Sequence, residues 1–166
     1  MYPAIDDMIK LVRAKGRGCM IFKSDLKKAF RQIMVDPGDI NLLGYSWNHR
    51  IYIDCALVMG CRSSAYICQR ITTALVYIYF HMGFLAVNFL DDICGVEIAV
   101  LAMTAHKNLR GLLKRSGAEE SEIKVCLPSV LQEFLGVLFN TEQFTLSLSL
   151  DKLQEALLLL EEWVCK

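Results

Sequence analysis

Two adjacent carboxylates, Asp91 and Asp92, interrupt an otherwise apolar run. Residues 84–90 before them are apolar except for Asn88, and Ile93, Cys94, Gly95 and Val96 follow. The pattern predicts strand, tight turn, strand, with the acids at the bend. Charges this deep in apolar sequence are costly to bury unless something pairs them, and a metal ion does that. An ordinary solvated Asp-Asp turn is the plainer reading of the same residues. A third acid, Asp25, closes a core run of Cys19, Met20, Ile21 and Phe22, with Lys23 and Ser24 between. On a strand, Lys23 and Asp25 share a face. An acid at the end of a core strand is a usual ligand position; as a lone feature it is also a usual cap.

These acids need elements to position them. Ile5, Met8, Ile9 and Val12 recur at helical spacing within residues 2–17. Asp6 and Asp7 suit the positive end of that helix, and Lys10, Arg13 and Lys15 the other, with Gly16 as a stop. Residues 18–26 form a strand. Asp36, Pro37, Gly38 and Asp39 form a turn. Residues 42–47 and 50–57 are two strands of a hairpin joined at Asn48 and His49, with Tyr45, Trp47 and Tyr52 as packing residues. Gly60 permits a close backbone approach, and Ser63 or Ser64 is available to cap a helix over 65–82 that is apolar nearly all round and expected to be largely buried. The loop lacks the lysine of a phosphate-binding P-loop. A further helix over 98–116 presents Leu101, Ala105, Leu109 and Leu112 on one face and ends at Gly117. An acidic loop with Glu119, Glu120, Glu122 and Lys124 leads to a glycine-broken strand over 130–139, a short strand over 144–148 and a helix over 150–164. The last helix carries a stripe of Leu153, Ala156, Leu157 and Leu160, ending at Trp163 or Val164.

The chain has 166 residues, 54% of them hydrophobic, which suits one domain with a real core and argues against disorder. No internal repeat or interdomain linker is visible. Seven cysteines without a Cys-x-x-Cys pair point to free thiols in a reducing compartment rather than a disulfide framework or zinc knuckle. With no apolar segment in the first ten residues to act as a signal peptide, the expectation is an intracellular protein, cytoplasmic or nuclear, and not secreted. Residues 71–90 carry no full charge, but Gly83 divides them into a helix-like part with Thr72, Thr73 and His81 and a strand-like part, so no membrane span is expected. Net charge is zero but uneven: residues 1–50 hold nine Lys/Arg against five Asp/Glu, and residues 116–166 hold three against nine. A basic front allows a local polyanion site, and two ordinary solvated faces fit equally well.

Taken in order, an acid ending a strand, a Gly-Ser loop entering a helix, two acids on a hairpin and a glycine-broken strand resemble the palm of a reverse transcriptase. The resemblance covers residues 3–165 and is to the retrotransposon type, with tyrosine-recombinase elements the nearest candidate. It implies an α/β (α+β) polymerase palm, a small antiparallel sheet with helices packed on one face and the acids on the other. It divides the chain into a palm with a remnant of fingers over 1–148 and the start of a thumb helix over 149–166. The block from Lys23 to Ile33 resembles the first catalytic motif. There the family pattern makes Asp25 a metal ligand, Leu26 a nucleotide-site residue and Phe30 the gate that crowds a ribonucleotide's 2′-hydroxyl. The block from Leu57 to Ala65, with Gln69 beyond, resembles the template and nucleotide contact loop, which implies nucleotide contacts at Met59, Gly60 and Gln69 and template contacts at Arg62 and Ser63. Phe89-Leu90-Asp91-Asp92 resembles the catalytic hairpin, with Phe89 where tyrosine is commoner. Lys124 resembles the lysine near the incoming triphosphate, and Phe134, Leu135 and Gly136 resemble the primer grip. Val58 stands where the family usually has proline, and Ser64-Ala65 where serine-proline is common.

The activity so implied is RNA-directed DNA polymerisation, with an RNA or DNA template, a primer and deoxynucleoside triphosphates as partners. Nucleotidyl transfer of this kind uses two divalent ions about 4 Å apart. Mg²⁺, with Mn²⁺ as the alternative, is held by a few carboxylates plus phosphates and water. Asp25 and Asp91 are the expected direct ligands, and Asp92 a partial ligand or electrostatic support. Lys124 is expected to stabilise the pyrophosphate or donate a proton to it, or else to be a solvated loop lysine beside three glutamates. Two rival readings stand beside this one. The first is a catalytically inactive retroelement fragment serving as a structural or nucleic-acid-binding module. The second is a two-metal phosphohydrolase, which lacks the His-rich ligand sets many such enzymes use.

Overall fold

A computed structural model describes residues 5–164. Helix α1, Ile5–Lys15, leads into β1, Met20–Asp25. After two short 3-10 turns, Ala29–Gln32 and Ile40–Leu43, come the hairpin strands β2, Gly44–Trp47, and β3, Arg50–Ile53. Helix α2, Ser64–His81, is followed by β4, Leu85–Phe89, β5, Asp92–Glu97, and α3, Ala99–Arg115. The chain closes with β6, Cys126–Ser129, β7, Leu131–Phe134, β8, Val137–Asn140, β9, Thr145–Leu148, and α4, Leu150–Val164. The result is a mixed α/β domain with antiparallel sheets, as the sequence leads one to expect.

The main sheet has the order β4-β5-β1-β6, and every neighbouring pair is antiparallel. Side-chain alternation along β1 divides the core in two. Phe22 points to one face, with Ile93 of β5, and meets Leu75 and Tyr79 of α2 and Leu109, Leu112 and Leu113 of α3. Each large side chain buried there contributes roughly 1.5–3 kcal/mol. The Tyr79 hydroxyl donates to the Ala105 carbonyl at 2.8 Å and ties α2 to α3. Ile21, Cys94 and Val96 point to the opposite face and meet Met8 and Val12 of α1 with Phe134 and Phe139. Thus α2 and α3 lie behind the sheet as expected, while α1 shares the acids' face and covers its far end. Lys15 at the end of α1 reaches Glu97 at 2.6 Å, where only 4% of the glutamate side chain is exposed.

Several local expectations need correction. The hairpin turn does fall at Asn48 and His49, both with positive φ, and Tyr45 stacks on Tyr52 with ring centroids 5.5 Å apart. Yet Tyr45, Trp47 and Tyr52 are exposed, as is every residue of both strands. Helix α2 is buried along one face only, with Tyr66, Tyr77 and Phe80 exposed, and Ser63 at its start makes no side-chain cap bond. Leu101 is likewise exposed on α3. The glycine-broken strand is a hairpin: Leu135 and Gly136, at φ 48° and 81°, turn β7 into β8. Strand β6 escaped the sequence reading because it contains Pro128, which a sheet edge tolerates. The apolar stripe of α4 is largely exposed at Leu153, Leu157 and Leu160, and none of the helix's described side chains is fully buried. No described helix is long and apolar enough to cross a membrane.

Two tests of this core follow. Gly95 lies opposite Phe22, and a methyl group added there would come within 2.2 Å of the Phe22 ring. Gly95→Ala should cost roughly 1–3 kcal/mol, read as a lower urea midpoint. His106 is buried against Phe22, with ring centroids 5.4 Å apart and Nε2 without a hydrogen-bond partner. Burial, then the nearby Arg110, lower its pKa below the ordinary 6.5, against an opposing pull from Glu120. The unfolded chain therefore takes the proton more readily. Stability from this group should be full above about pH 6.5 and decline as pH falls towards the lower folded value. His106→Leu should flatten that part of a pH series of thermal melts.

Candidate active site

The register of β1 against β5 sets the site. Asp25, the last residue of β1, lies directly opposite Asp92, the first residue of β5. Antiparallel partners project to the same side of a sheet, so these carboxylates share a face. Asp91 sits in the turn beside them, after Leu90 at φ 52°. Three backbone bonds hold this end together. The Leu26 N–H donates to the Asp91 carbonyl at 2.9 Å, the Ser121 N–H to the Asp25 carbonyl at 2.8 Å, and the Lys27 N–H to the Glu119 carbonyl at 2.9 Å. The first bond joins the two acid-bearing segments to each other, and the other two stitch the loop after α3 to the end of β1.

A buried polar network fixes the turn from behind. The Gln69 side chain accepts from the Leu90 N–H at 2.7 Å and donates to the Asn88 carbonyl at 3.2 Å. The Asn88 side-chain amide donates to the Thr72 hydroxyl at 2.8 Å. Asn88, the single polar residue in its apolar run, thus reaches α2 rather than the acid pocket. Gln69 is buried, and its side-chain amide holds the turn.

Two lysines meet the acids. Lys23 Nζ lies 3.1 Å from Asp92 Oδ2, with 19% of each side chain exposed. Lys124 Nζ lies 3.1 Å from Asp25 Oδ2, with 63% of the lysine exposed and 14% of the aspartate. Burial raises the Asp92 pKa most strongly; Lys23 pulls it back, and Asp25 and Asp91 push it further up. Burial works to lower the Lys23 pKa, but Asp92, with Cys94 and Cys126, outweighs it and the net shift is upward. Lys23 was legible only as a residue sharing Asp25's face. Its pairing with Asp92 depends on the strand register, which sequence spacing does not show.

Among the described residues, no three ligating side chains form a metal-binding group. The site nonetheless fits a divalent cation of the magnesium type. Such an ion needs only one or two carboxylates, completing its shell with water and phosphate. Asp25 and Asp92 stand opposite each other, and Asp92 Oδ1 is buried without any hydrogen-bond partner.

The remaining predicted residues fall into distinct places. Leu26 is in the core, and Phe30 is half-buried against it. Met59, Gly60, Arg62 and Ser63 lie on the exposed loop before α2, Gly60 at φ 90°. Phe89 and Leu135 pack partly on the second core cluster, and Phe134 is fully buried in it. Gly136 lies against the Lys152 side chain of α4. Lys27, Lys28, Arg31 and Gln32, with Gly117 and Glu119, line a cleft of about 420 Å³ beyond the end of β1, which the sequence reading did not single out.

Shortening Gln69 to Ala strips the Leu90 N–H of its acceptor and the Asn88 carbonyl of a donor. Gln69→Ala should destabilise the domain by about 1–3 kcal/mol. Amide exchange at Leu90 should accelerate while amides in α3 keep their protection relative to global stability.

No protein-family model matches the chain, and no curated protein matches it in sequence. Solved structures do match. A foamy viral protease-reverse transcriptase in complex with dsDNA superposes with a TM-score of 0.71 at 18% identity, over 81% of this chain and 28% of that one. The foamy viral protease-reverse transcriptase in complex with an RNA/DNA hybrid gives a TM-score of 0.71 at 19% identity, over 87% and 20%. A prototype foamy virus protease-reverse transcriptase CSH mutant gives 0.66 at 18% identity, over 85% and 18%. The chain spans between 18% and 28% of the length of these neighbours. The polypeptide has a reverse-transcriptase-like fold.

Proposed function

We propose that this chain is the palm of an RNA-directed DNA polymerase of a retroelement. In this reading residues 1–148 are the palm with a remnant of fingers, and residues 149–166 begin a thumb. The observation that carries it is the pairing of Asp25 with Asp92 across β1 and β5, with Asp91 in the adjoining turn. The likeness to structures solved with dsDNA and an RNA/DNA hybrid supports template and primer as partners.

Asp25 and Asp91, with the free Oδ1 of Asp92, would hold Mg²⁺ or Mn²⁺. When bound, such ions activate a primer 3′-hydroxyl and neutralise a leaving pyrophosphate. The chain's own residues prepare the rest. Burial of the Asp92 side chain and its neighbours limits water around the carboxylates, which strengthens every charge interaction there. Lys124 is exposed and loosely held, so it is free to leave Asp25 for the phosphate oxygens of an incoming nucleotide. Lys27, Lys28 and Arg31 outnumber Glu119 along the neighbouring cleft, with Arg31 paired to Asp54 and Lys27 near Glu119, so the lining still favours a triphosphate. Phe30, half-buried against the core, would be the residue that senses the sugar.

A second reading has its own support. Lys23 and Lys124 already neutralise two of the three acids, as they would in an inactive module that only binds nucleic acid. Primer extension separates the two. With the chain joined to fingers and thumb, extension should require Mg²⁺ or Mn²⁺, and Asp91→Asn should lower its rate by at least about 100-fold. Undiminished extension by Asp91→Asn would defeat the polymerase assignment. Salt-sensitive binding of primer-template without any extension would establish the binding module instead.

A further inference from the structure

The two lysines at the acids are not equivalent. Lys124 is carried on a loop and is mostly exposed, so it can be displaced. Lys23 stands in the interior of β1, flanked in register by Cys94 of β5 and Cys126 of β6. Only 19% of its side chain is exposed, and Asp92, its ion-pair partner, is equally enclosed. An ammonium in such a place is costly to bury alone, as is the carboxylate it faces. Neither can leave without stranding the other.

We infer that Lys23 is a built-in counter-cation for Asp92: it keeps Oδ2 of that carboxylate permanently occupied and thereby weakens the affinity of the acid cluster for divalent cations. The inference rests on the proposed cation site and concerns how that site is tuned. Asp92 keeps Oδ1 for a cation, while Asp25, whose lysine is displaceable, can give up its partner. The carboxylates are held in place before any cation arrives, and a fixed positive charge stands against one that does. Binding then depends on the extra negative charge that phosphates of template, primer or nucleotide bring to the site.

The test is Mn²⁺ binding to the 166-residue chain, measured by calorimetry at fixed pH and without nucleic acid. Lys23→Met removes the fixed charge and should tighten Mn²⁺ binding about tenfold. Lys23→Arg keeps the charge and should leave affinity close to that of the parent. Asp25→Asn should weaken binding in the parent and in Lys23→Met alike, which locates the ion. Unchanged or weaker binding by Lys23→Met, with parent binding still sensitive to Asp25→Asn, would overturn the role of Lys23 and leave the cation site standing. If neither form shows binding sensitive to Asp25→Asn, the cation site itself falls, and this inference with it. Should Lys23→Met be unfolded without metal, circular dichroism decides: refolding in excess Mn²⁺ supports the inference, and failure to refold overturns it.

Discussion

The antiparallel pairing of β1 with β5 is the constraint on which this structure depends. Six consecutive residue pairs, from Met20 with Glu97 to Asp25 with Asp92, fix which side chains share a face. A slip of one residue would send Asp25 to the side of Phe22 and bring Phe22 to the side of the acids. The register is held by the core it creates. Phe22 lies over Gly95, the one position on β5 with no side chain to obstruct it. Ile21 and Val96 lock the opposite face beneath α1. The hydrophobic effect thus places the acids indirectly, by leaving each strand only one favourable alignment.

Behind the acids, polar groups do what apolar packing cannot. A turn with a leucine at positive φ is strained, and hydrogen bonds from a side chain to its backbone hold it. Gln69 and Asn88 form this support and draw it from α2, the helix also packed on the core. The loop of residues 119–124 adds a second brace from the other side. The acid-bearing turn is therefore held between α2 and the end of β1, and the loop in turn braces that end of β1. That preorganisation keeps negative groups together despite their mutual repulsion, with Lys23 and Lys124 as local compensation.

Much of the fold was legible because it follows local rules. The periods of α1, α3 and α4, the Asn48-His49 turn and the strand ending at Asp25 are written in side-chain spacing and turn chemistry. Burial was read less well. Tyr45, Trp47 and the outer face of α2 have core composition but face solvent, since exposure depends on which elements pack together and not on the segment alone. Leu135-Gly136 read as a defect in one strand because two residues suffice to reverse a chain, and only pairing distinguishes the cases. At the site, the nearness of Asp25 to the later acids followed from resemblance. The pairing of Lys23 with Asp92 and the turn-holding task of Gln69 did not, because both are products of three-dimensional register.

The stitching of residues 119–124 to the Asp25 end of β1 has an evolutionary corollary. A residue inserted there would have to break the bond to the Asp25 carbonyl or the one from Lys27, and would drag Lys124 off its aspartate. The ribbon of β2 and β3 is different, because its tip at Asn48 and His49 is exposed. Descendants of this sequence should therefore vary in length at that tip and keep a constant residue count between Gly117 and Lys124.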